Sequence, residues 1–122
     1  MKRFLAIFLL FSFCFAACSE FIEYPLEKES VELLAPMDSL STQDSVVSFY
    51  WKNHQDADNY RLQIARPNFD SIQKVIVDTV TTLDHLNLTV SPGRYTWRVR
   101  PENSGSVGLF KQRQITILPS LK

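Results

Sequence analysis

Apolar residues recur with a period of two along most of this chain, and this spacing constrains its fold more than any other feature. In the clearest run, Val47, Phe49 and Trp51 alternate with Val46, Ser48 and Tyr50. Successive side chains of a β-strand point to opposite faces of a sheet, so the spacing predicts strands with one buried face. Comparable runs lie at residues 60–65, 85–90, 95–100 and 114–117.

Two weaker apolar runs extend the set of predicted strands. Val75 and Val77 form one of them, with Phe69 nearby, and residues 31–34 form the other. The segments between the runs are rich in Pro, Gly, Asn, Asp and Ser, which are turn-forming residues. About seven short strands at this spacing predict one all-β domain, an antiparallel sandwich or barrel.

Three segments of this pattern resemble a fibronectin type III domain. Trp51 closes the second predicted strand, Tyr60 begins the third, and residues 92–99 read PGRYTWRV. The resemblance covers about residues 31–118 and implies a seven-stranded antiparallel β-sandwich. It also implies a core that includes Trp51, Tyr60, Tyr95 and Trp97, with Trp97 packed against Trp51 and Tyr95 forming a tyrosine corner. A buried indole N–H is expected to find a hydrogen-bond partner.

Residues 1–17 have the features of a secretory signal peptide. Lys2 and Arg3 precede an almost wholly apolar run at residues 4–13, which ends in small residues. A helix over residues 4–17 would be roughly 21 Å long, against about 30 Å for the hydrocarbon core of a bilayer. The length therefore favours a cleaved signal over a membrane-spanning helix.

Residues 15–18, FAAC, resemble a bacterial lipobox, although Phe15 stands where Leu is preferred. The resemblance implies cleavage before Cys18 and three acyl chains on this residue, with palmitate among the chains. Several buried acyl chains would hold the protein firmly in a bilayer. In the sorting rule of Gram-negative bacteria, Ser19 in place of Asp implies the outer membrane, with the periplasmic or surface face left open.

We expect residues 18–30 to form an acidic tether, because residues 19–30 carry four Glu and one Lys. A short helix at residues 27–34 is an alternative, bracketed by Pro25 and Pro36. Cys14 would leave with the signal, and the sulfur of Cys18 would be a thioether. The mature domain would then contain neither a disulfide nor a zinc site, and core packing alone would stabilise it.

Four arginines alternate with the predicted core residues and should therefore face away from it. Two interpretations of this basic face remain open. It contacts an anion or an acidic glycan, or it is a solvated face whose charge resists edge pairing. Lys111 and Arg113 would extend it on the last strand. The four arginines are Arg61, Arg94, Arg98 and Arg100.

The sequence predicts no catalytic, metal or cofactor site. Asp56 and Asp58 resemble the start of a calcium loop, but Pro67 occupies the slot of the final Glu. Asp84, His85 and Ser91 supply an acid, a base and a hydroxyl. Adjacent residues of a strand face opposite ways, so Asp84 and His85 should not pair. We therefore expect the protein not to be an enzyme.

A short motif of Asp, then Ser or Thr, then an apolar residue occurs four times. It resembles the acceptor motif for general O-glycosylation of exported proteins in one group of Gram-negative bacteria. Asp–Ser pairs also start turns before strands, which is the alternative interpretation. The acceptor residues would be Ser39, Ser45, Ser71 and Thr79.

The formal net charge is zero, so no global basic field points to nucleic acid. We expect an outer-membrane lipoprotein that is non-enzymatic and acts as a protein-interaction or accessory module in the cell envelope. Its partners would be the lipid bilayer, through Cys18, and an envelope protein. The alternative is a surface glycan-binding or adhesion lipoprotein of a polysaccharide-uptake system. An interaction module predicts an apolar or edge-strand patch, whereas glycan binding predicts exposed rings, for which the candidates are Tyr24, Tyr50 and Phe110.

Overall fold

The structure is a computed structural model that describes residues 24–120. Its regular elements in this range are eight β-strands. The alternation of apolar and polar residues along the chain favours these strands locally. In β3, for example, every second side chain is buried. The strands are β1 (Leu33–Ala35), β2 (Leu40–Thr42), β3 (Val46–Trp51), β4 (Asn59–Pro67), β5 (Ile72–Thr81), β6 (His85–Thr89), β7 (Gly93–Glu102) and β8 (Lys111–Ile117).

The strands form two sheets that enclose one core. One sheet has three strands in the order β1-β3-β6, and the other has five in the order β2-β8-β7-β4-β5. Every pairing is antiparallel except that of β2 with β8. The alternation predicted about seven strands, and the additional one is β2. It lies in a segment that the sequence marked as turn-rich, and its three residues pair in parallel with residues 115–117.

The aromatic core lies between the two sheets. Trp51, Tyr60, Tyr95 and Trp97 are each at most 3% exposed. Trp97 meets Phe49 edge-on at 5.0 Å, and Trp51 meets Tyr60 edge-on at 5.8 Å between ring centroids. The expected Trp51–Trp97 ring pair is absent from residues 24–120. Each indole N–H is buried without a hydrogen-bond partner in this part of the chain, so packing rather than hydrogen bonding holds both indoles.

The segment before residue 31 packs on the sandwich, although the sequence placed it in the tether. Leu26 is fully buried, and its backbone N–H donates to the Ser106 hydroxyl at 2.8 Å. The Leu109 N–H donates to the Glu29 carbonyl at 2.7 Å. The packed domain therefore includes Leu26. Residues 27–34 contain a turn and the start of β1, not the alternative helix.

The predicted signal peptide and Cys18 lie outside the described residues. Within residues 24–120, no helix is long and apolar enough to cross a membrane.

Candidate functional site

The outer face of the five-stranded sheet brings three of the predicted arginines together. Arg61 on β4 lies opposite Arg100 on β7, and Gln63 lies opposite Arg98 one row further along. Residues directly opposite each other in an antiparallel pair share a face. The three guanidinium groups therefore occupy one surface on adjacent strands.

Two carboxylates neutralise part of this arginine cluster. Arg61 donates to Asp78 at 2.8 Å and to Glu102 at 3.1 Å, and Arg100 donates to Glu102 at 2.9 Å. The hydrogen bond from Arg61 lowers the pKa of Asp78, and the same bond raises the pKa of Arg61. Glu102 is well covered and serves two arginines, so most of the charge on this face is satisfied internally.

Arg98 is held between two phenylalanine rings. Its guanidinium carbon lies 3.8 Å from the ring centre of Phe69 and 4.0 Å from that of Phe110, and its Nε donates to Gln63 at 2.9 Å. Burial lowers the pKa of Arg98, and the nearby charge of Arg100 lowers it further. The rings of Phe69 and Phe110 are half-buried by this contact, so Phe110 is not a free stacking platform.

The predicted basic face is therefore smaller than the sequence suggested. The side chain of Arg94 is exposed and has no ion pair or hydrogen bond to any residue between 24 and 120. Arg113 points to the other side of its strand and donates to the carbonyls of Pro36 and Leu33. Lys111 lies opposite Val99, a core residue, so neither basic residue of β8 extends the face.

The turn between β6 and β7 contains a tyrosine corner that an arginine completes. The Tyr95 hydroxyl donates to the Ser91 carbonyl at 2.7 Å and accepts from Arg66 Nη2 at 2.6 Å. Arg66 Nη2 also lies 3.2 Å from the Pro92 carbonyl. Gly93 has a φ of 154°, and a Cβ there would lie 2.9 Å from Arg66 Nη2. The guanidinium can reach the corner because residue 93 is glycine.

Nothing in the amino-acid sequence singles out Arg66. Strict alternation predicts only that the Arg66 side chain lies on the other face of the sheet from that of Ala65. It does not predict a contact between Arg66 and a distant turn. The register of β4 against β5 shifts between Ile64 and Ala65 and again between Arg66 and Pro67. These bulges bend the strand end and set the direction of the Arg66 side chain. No local signal in the sequence marks them.

Substituting Tyr95 with phenylalanine tests the corner. We expect Tyr95→Phe to lower the free energy of unfolding by about 1–3 kcal/mol, because the change leaves the Ser91 carbonyl and Arg66 Nη2 without their shared partner. Tyr50→Phe is the matched control, because Tyr50 is exposed and should change stability by less than about 0.5 kcal/mol. Equal effects of the two variants in urea unfolding would refute the assigned role of the corner.

Strand β5 forms the open edge of the five-stranded sheet. It runs from Ile72 to Thr81, and within residues 24–120 it pairs only with β4. Ile72, Val75 and Val80 are 50%, 46% and 44% exposed. Only Lys74 and Asp78 carry charge along its ten residues. This strand is therefore an apolar edge with backbone groups available for pairing.

A second aromatic surface lies on the three-stranded sheet. Tyr50 is 41% exposed and stacks on His85 with ring centroids 5.4 Å apart. His85 Nδ1 lies 2.8 Å from Asp84 Oδ1, so the prediction that these two residues do not pair is wrong. Asp84 precedes β6 instead of lying within it, and strand alternation does not apply to it. Ser91 follows the far end of β6, roughly 20 Å away at about 3.3 Å per residue, so the three groups do not form a triad.

His54 makes two polar contacts in the acidic loop between β3 and β4. His54 Nε2 lies 3.3 Å from Glu29 Oε2, and the Asp56 N–H donates to His54 Nδ1 at 3.2 Å. No group of three or more His, Cys, Asp or Glu residues that could hold a metal ion occurs in the described part of the chain. The arrangement is that of a polar turn.

Three of the four predicted glycan acceptors lie in exposed positions. Ser39, Ser45 and Ser71 are exposed and lie in loops. Thr79 is half-buried in the middle of β5 and lies opposite the core residue Leu62. Thr79 is therefore less accessible to a modifying enzyme than the three serines.

No protein-family model and no curated protein matches the chain. Two of the solved structures that it resembles carry fibronectin type III folds. The fibronectin(III)-like modules of Clostridium thermocellum CbhA match with a TM-score of 0.55 at 10% identity, covering 75% of this chain and 99% of that one. The fibronectin type III domain of human fibronectin type III domain containing protein 3 matches with a TM-score of 0.52 at 12% identity, covering 77% and 89%. The domain therefore has a fibronectin type III-like fold.

Proposed function

We propose that this protein is a lipid-anchored, non-enzymatic interaction module of the outer membrane that docks an envelope protein along the free edge of β5. The observation that carries the proposal is the edge itself. A ten-residue strand with three exposed aliphatic side chains pairs with β4 on one side and leaves its other side unpaired, within the part of the chain that the structure describes. An extended segment of a partner could add to it as a sixth strand.

The charges on β5 favour pairing with a specific partner strand over non-specific pairing with any exposed strand. The Asp78 carboxylate is already bonded to Arg61, so it does not repel an incoming strand as a free charge would. The bulges near Ile64 and Arg66 disrupt the regular ladder with β4 at one end of β5. The regular portion, residues 77–81, is the part best suited to accept a partner strand.

The membrane anchor in this proposal rests on the sequence around Cys18. The FAAC segment follows a short apolar run, and Leu26 packs on the sandwich. Residues 19–25 would then separate the acylated cysteine from the domain, and at about 3.3 Å per residue they reach roughly 23 Å when extended. This length would hold the domain close to the bilayer, where envelope partners are concentrated.

Crosslinking of the native protein in envelopes tests the proposal. We expect one larger envelope protein to be recovered in a fixed ratio to this chain, with crosslinked peptides that include Lys74 on β5. Recovery of the chain alone, or crosslinks confined to lysines such as Lys52 and Lys111, would contradict docking at β5.

A glycan-binding function is the second candidate, and the Tyr50–His85 stack favours it. One face of the Tyr50 ring rests on His85 while 41% of the residue remains exposed. Exposed rings with adjacent polar groups are suited to stack on sugars, and Asp84 lies beside the pair. Retention of the protein on a polysaccharide column that Tyr50→Ala abolishes, without a crosslinked partner, would support this function over the first.

We also propose that Ser39, Ser45 and Ser71 carry O-linked glycans. All three are exposed and follow an Asp. Intact-mass spectrometry of the native protein should give a mass above that of the acylated polypeptide, and the excess should fall stepwise when each serine is replaced by alanine. A mass equal to that of the acylated polypeptide alone would contradict the proposal.

A further inference from the structure

A cleft of about 400 Å³ lies where the two sheets end side by side in β5 and β6. These strands belong to different sheets, and the gap between them is not closed by backbone hydrogen bonds. The lining comes from β5 and from the turn that carries the tyrosine corner. The volume falls within the range of small-ligand pockets in proteins.

The charge of this cleft is one-sided. Arg66 and Lys74 line it, and none of its nine lining residues is acidic. Thr89 and Ser91 add hydroxyl groups. Lys74 is exposed and has no ion pair with any residue between 24 and 120. The other cationic surface, around Arg61 and Arg100, is neutralised by carboxylates, whereas this one is not.

The Arg66 guanidinium is fixed in place before any ligand arrives. Its Nη2 is bonded to the Tyr95 hydroxyl, and its carbon lies 5.1 Å from the Tyr95 ring centre. Its Nε is buried without a partner, while Nη1 has no partner in the described part of the chain and is not among the buried polar atoms. A donor held in one orientation binds an anion without losing rotamer freedom.

Four aliphatic residues also line the cleft, and they restrict the kind of anion that it can bind. Val75, Ile76, Val77 and Val90 line it, with no aromatic ring other than Tyr95. Aliphatic walls favour an apolar side chain next to the carboxylate more than they favour a sugar acid, which carries hydroxyls on every side. Val75 and Val77 belong to β5, whose edge offers backbone groups to an extended peptide.

We propose that this cleft binds the C-terminal carboxylate of an extended peptide whose last side chain is apolar. Arg66 Nη1 and the Lys74 ammonium hold the carboxylate, and the side chain packs against Val75, Val77 and Val90. The proposal rests on the proposed role of β5 as the docking edge and names the end of the segment that docks there.

The test is an NMR titration of the isotope-labelled chain with N-acetyl-L-valine, compared with its primary amide. We expect backbone shifts at residues 74–77 and 89–91 with the acid, and binding of the amide weaker by about tenfold, because charge-assisted hydrogen bonds are lost. Lys74→Gln should weaken binding of the acid about two- to fivefold. Lys111→Gln, a matched exposed lysine outside the cleft, should leave it unchanged. Arg66 is unsuitable as the variant because it also supports the tyrosine corner.

Three outcomes would overturn the proposal. The first is equal binding of acid and amide, and the second is a response that maps outside the cleft. The third is binding of D-glucuronate in preference to N-acetyl-L-valine, which would assign the cleft to a sugar acid. None of these outcomes would remove the β5 crosslinks that test the proposed function, so the two failures are distinguishable.

Discussion

Replacing Cys18 with alanine is expected to abolish incorporation of labelled palmitate into this protein. The sulfur of Cys18 is the atom to which the lipid would be attached in the FAAC segment. Alanine has no sulfur in its place. Each buried methylene contributes about 0.8 kcal/mol to membrane binding, so loss of the acyl chains removes the whole anchor. The expected change is therefore from full labelling to none.

Cys14→Ala is the matched control for this experiment. It also removes one of the two cysteines of the chain, but from the segment that would leave with the proposed signal peptide. We expect it to retain full labelling. Label that persists in Cys18→Ala, or that disappears equally in both variants, would contradict lipid anchoring through Cys18.

Replacing Trp97 with alanine is expected to cause the largest loss of stability in the domain, about 3–5 kcal/mol in the free energy of unfolding. Trp97 is fully buried and packs edge-on against Phe49. Because its indole N–H has no hydrogen-bond partner within residues 24–120, the loss comes from packing and from the cavity left behind. A domain of ordinary stability, about 5–15 kcal/mol, would be left close to unfolding.

Urea unfolding followed by far-UV circular dichroism measures this loss, and Trp51 remains as a fluorescence probe. Arg94→Ala is a suitable control, because Arg94 lies three residues before Trp97, on the opposite and exposed face of the same strand. It should change stability by less than about 0.5 kcal/mol. A loss below about 1 kcal/mol for Trp97→Ala would show that the core is not organised around this residue.

The alternation of the sequence contains most of the information needed for the core. Most buried residues of β3, β4 and β7 are those that a period of two places on one face, because each strand must bury one side against the other sheet. Ala65 and Thr96 are the exceptions in these three strands. The tyrosine corner follows from the Pro92–Gly93 turn and from Tyr95 just after it. These features depend on local sequence, which is why they were predictable.

Contacts between distant segments could not be predicted from the local sequence in the same way. The pairing of Arg61 with Asp78 and Glu102 depends on the register of three strands, which local sequence does not state. The burial of Leu26 depends on Ser106, eighty residues later in the chain. The one available signal was a lone leucine among acidic residues, which is also compatible with a tether.

The same dependence on strand register explains why the candidate sites were only partly predictable from the sequence. The sequence identified an arginine-rich face, but the carboxylates that neutralise it lie on β5 and at the end of β7. Arg66 and Lys74, two cations without an ion pair in residues 24–120, lie opposite each other in the β4–β5 pair, next to its bulges. A bulge moves side chains across the sheet without changing the apolar pattern enough to be recognised.

The most direct test of docking at β5 compares crosslinking yields for the wild-type chain, the Val75→Lys/Val80→Lys double variant and Val46→Lys. All three valines are exposed strand residues, but Val46 lies on the three-stranded sheet. Lysines on an edge strand oppose pairing, so the double variant should lose partner recovery by at least about tenfold while remaining folded by circular dichroism. Val46→Lys should recover the partner as the wild type does. Full recovery by the folded double variant would contradict the central claim.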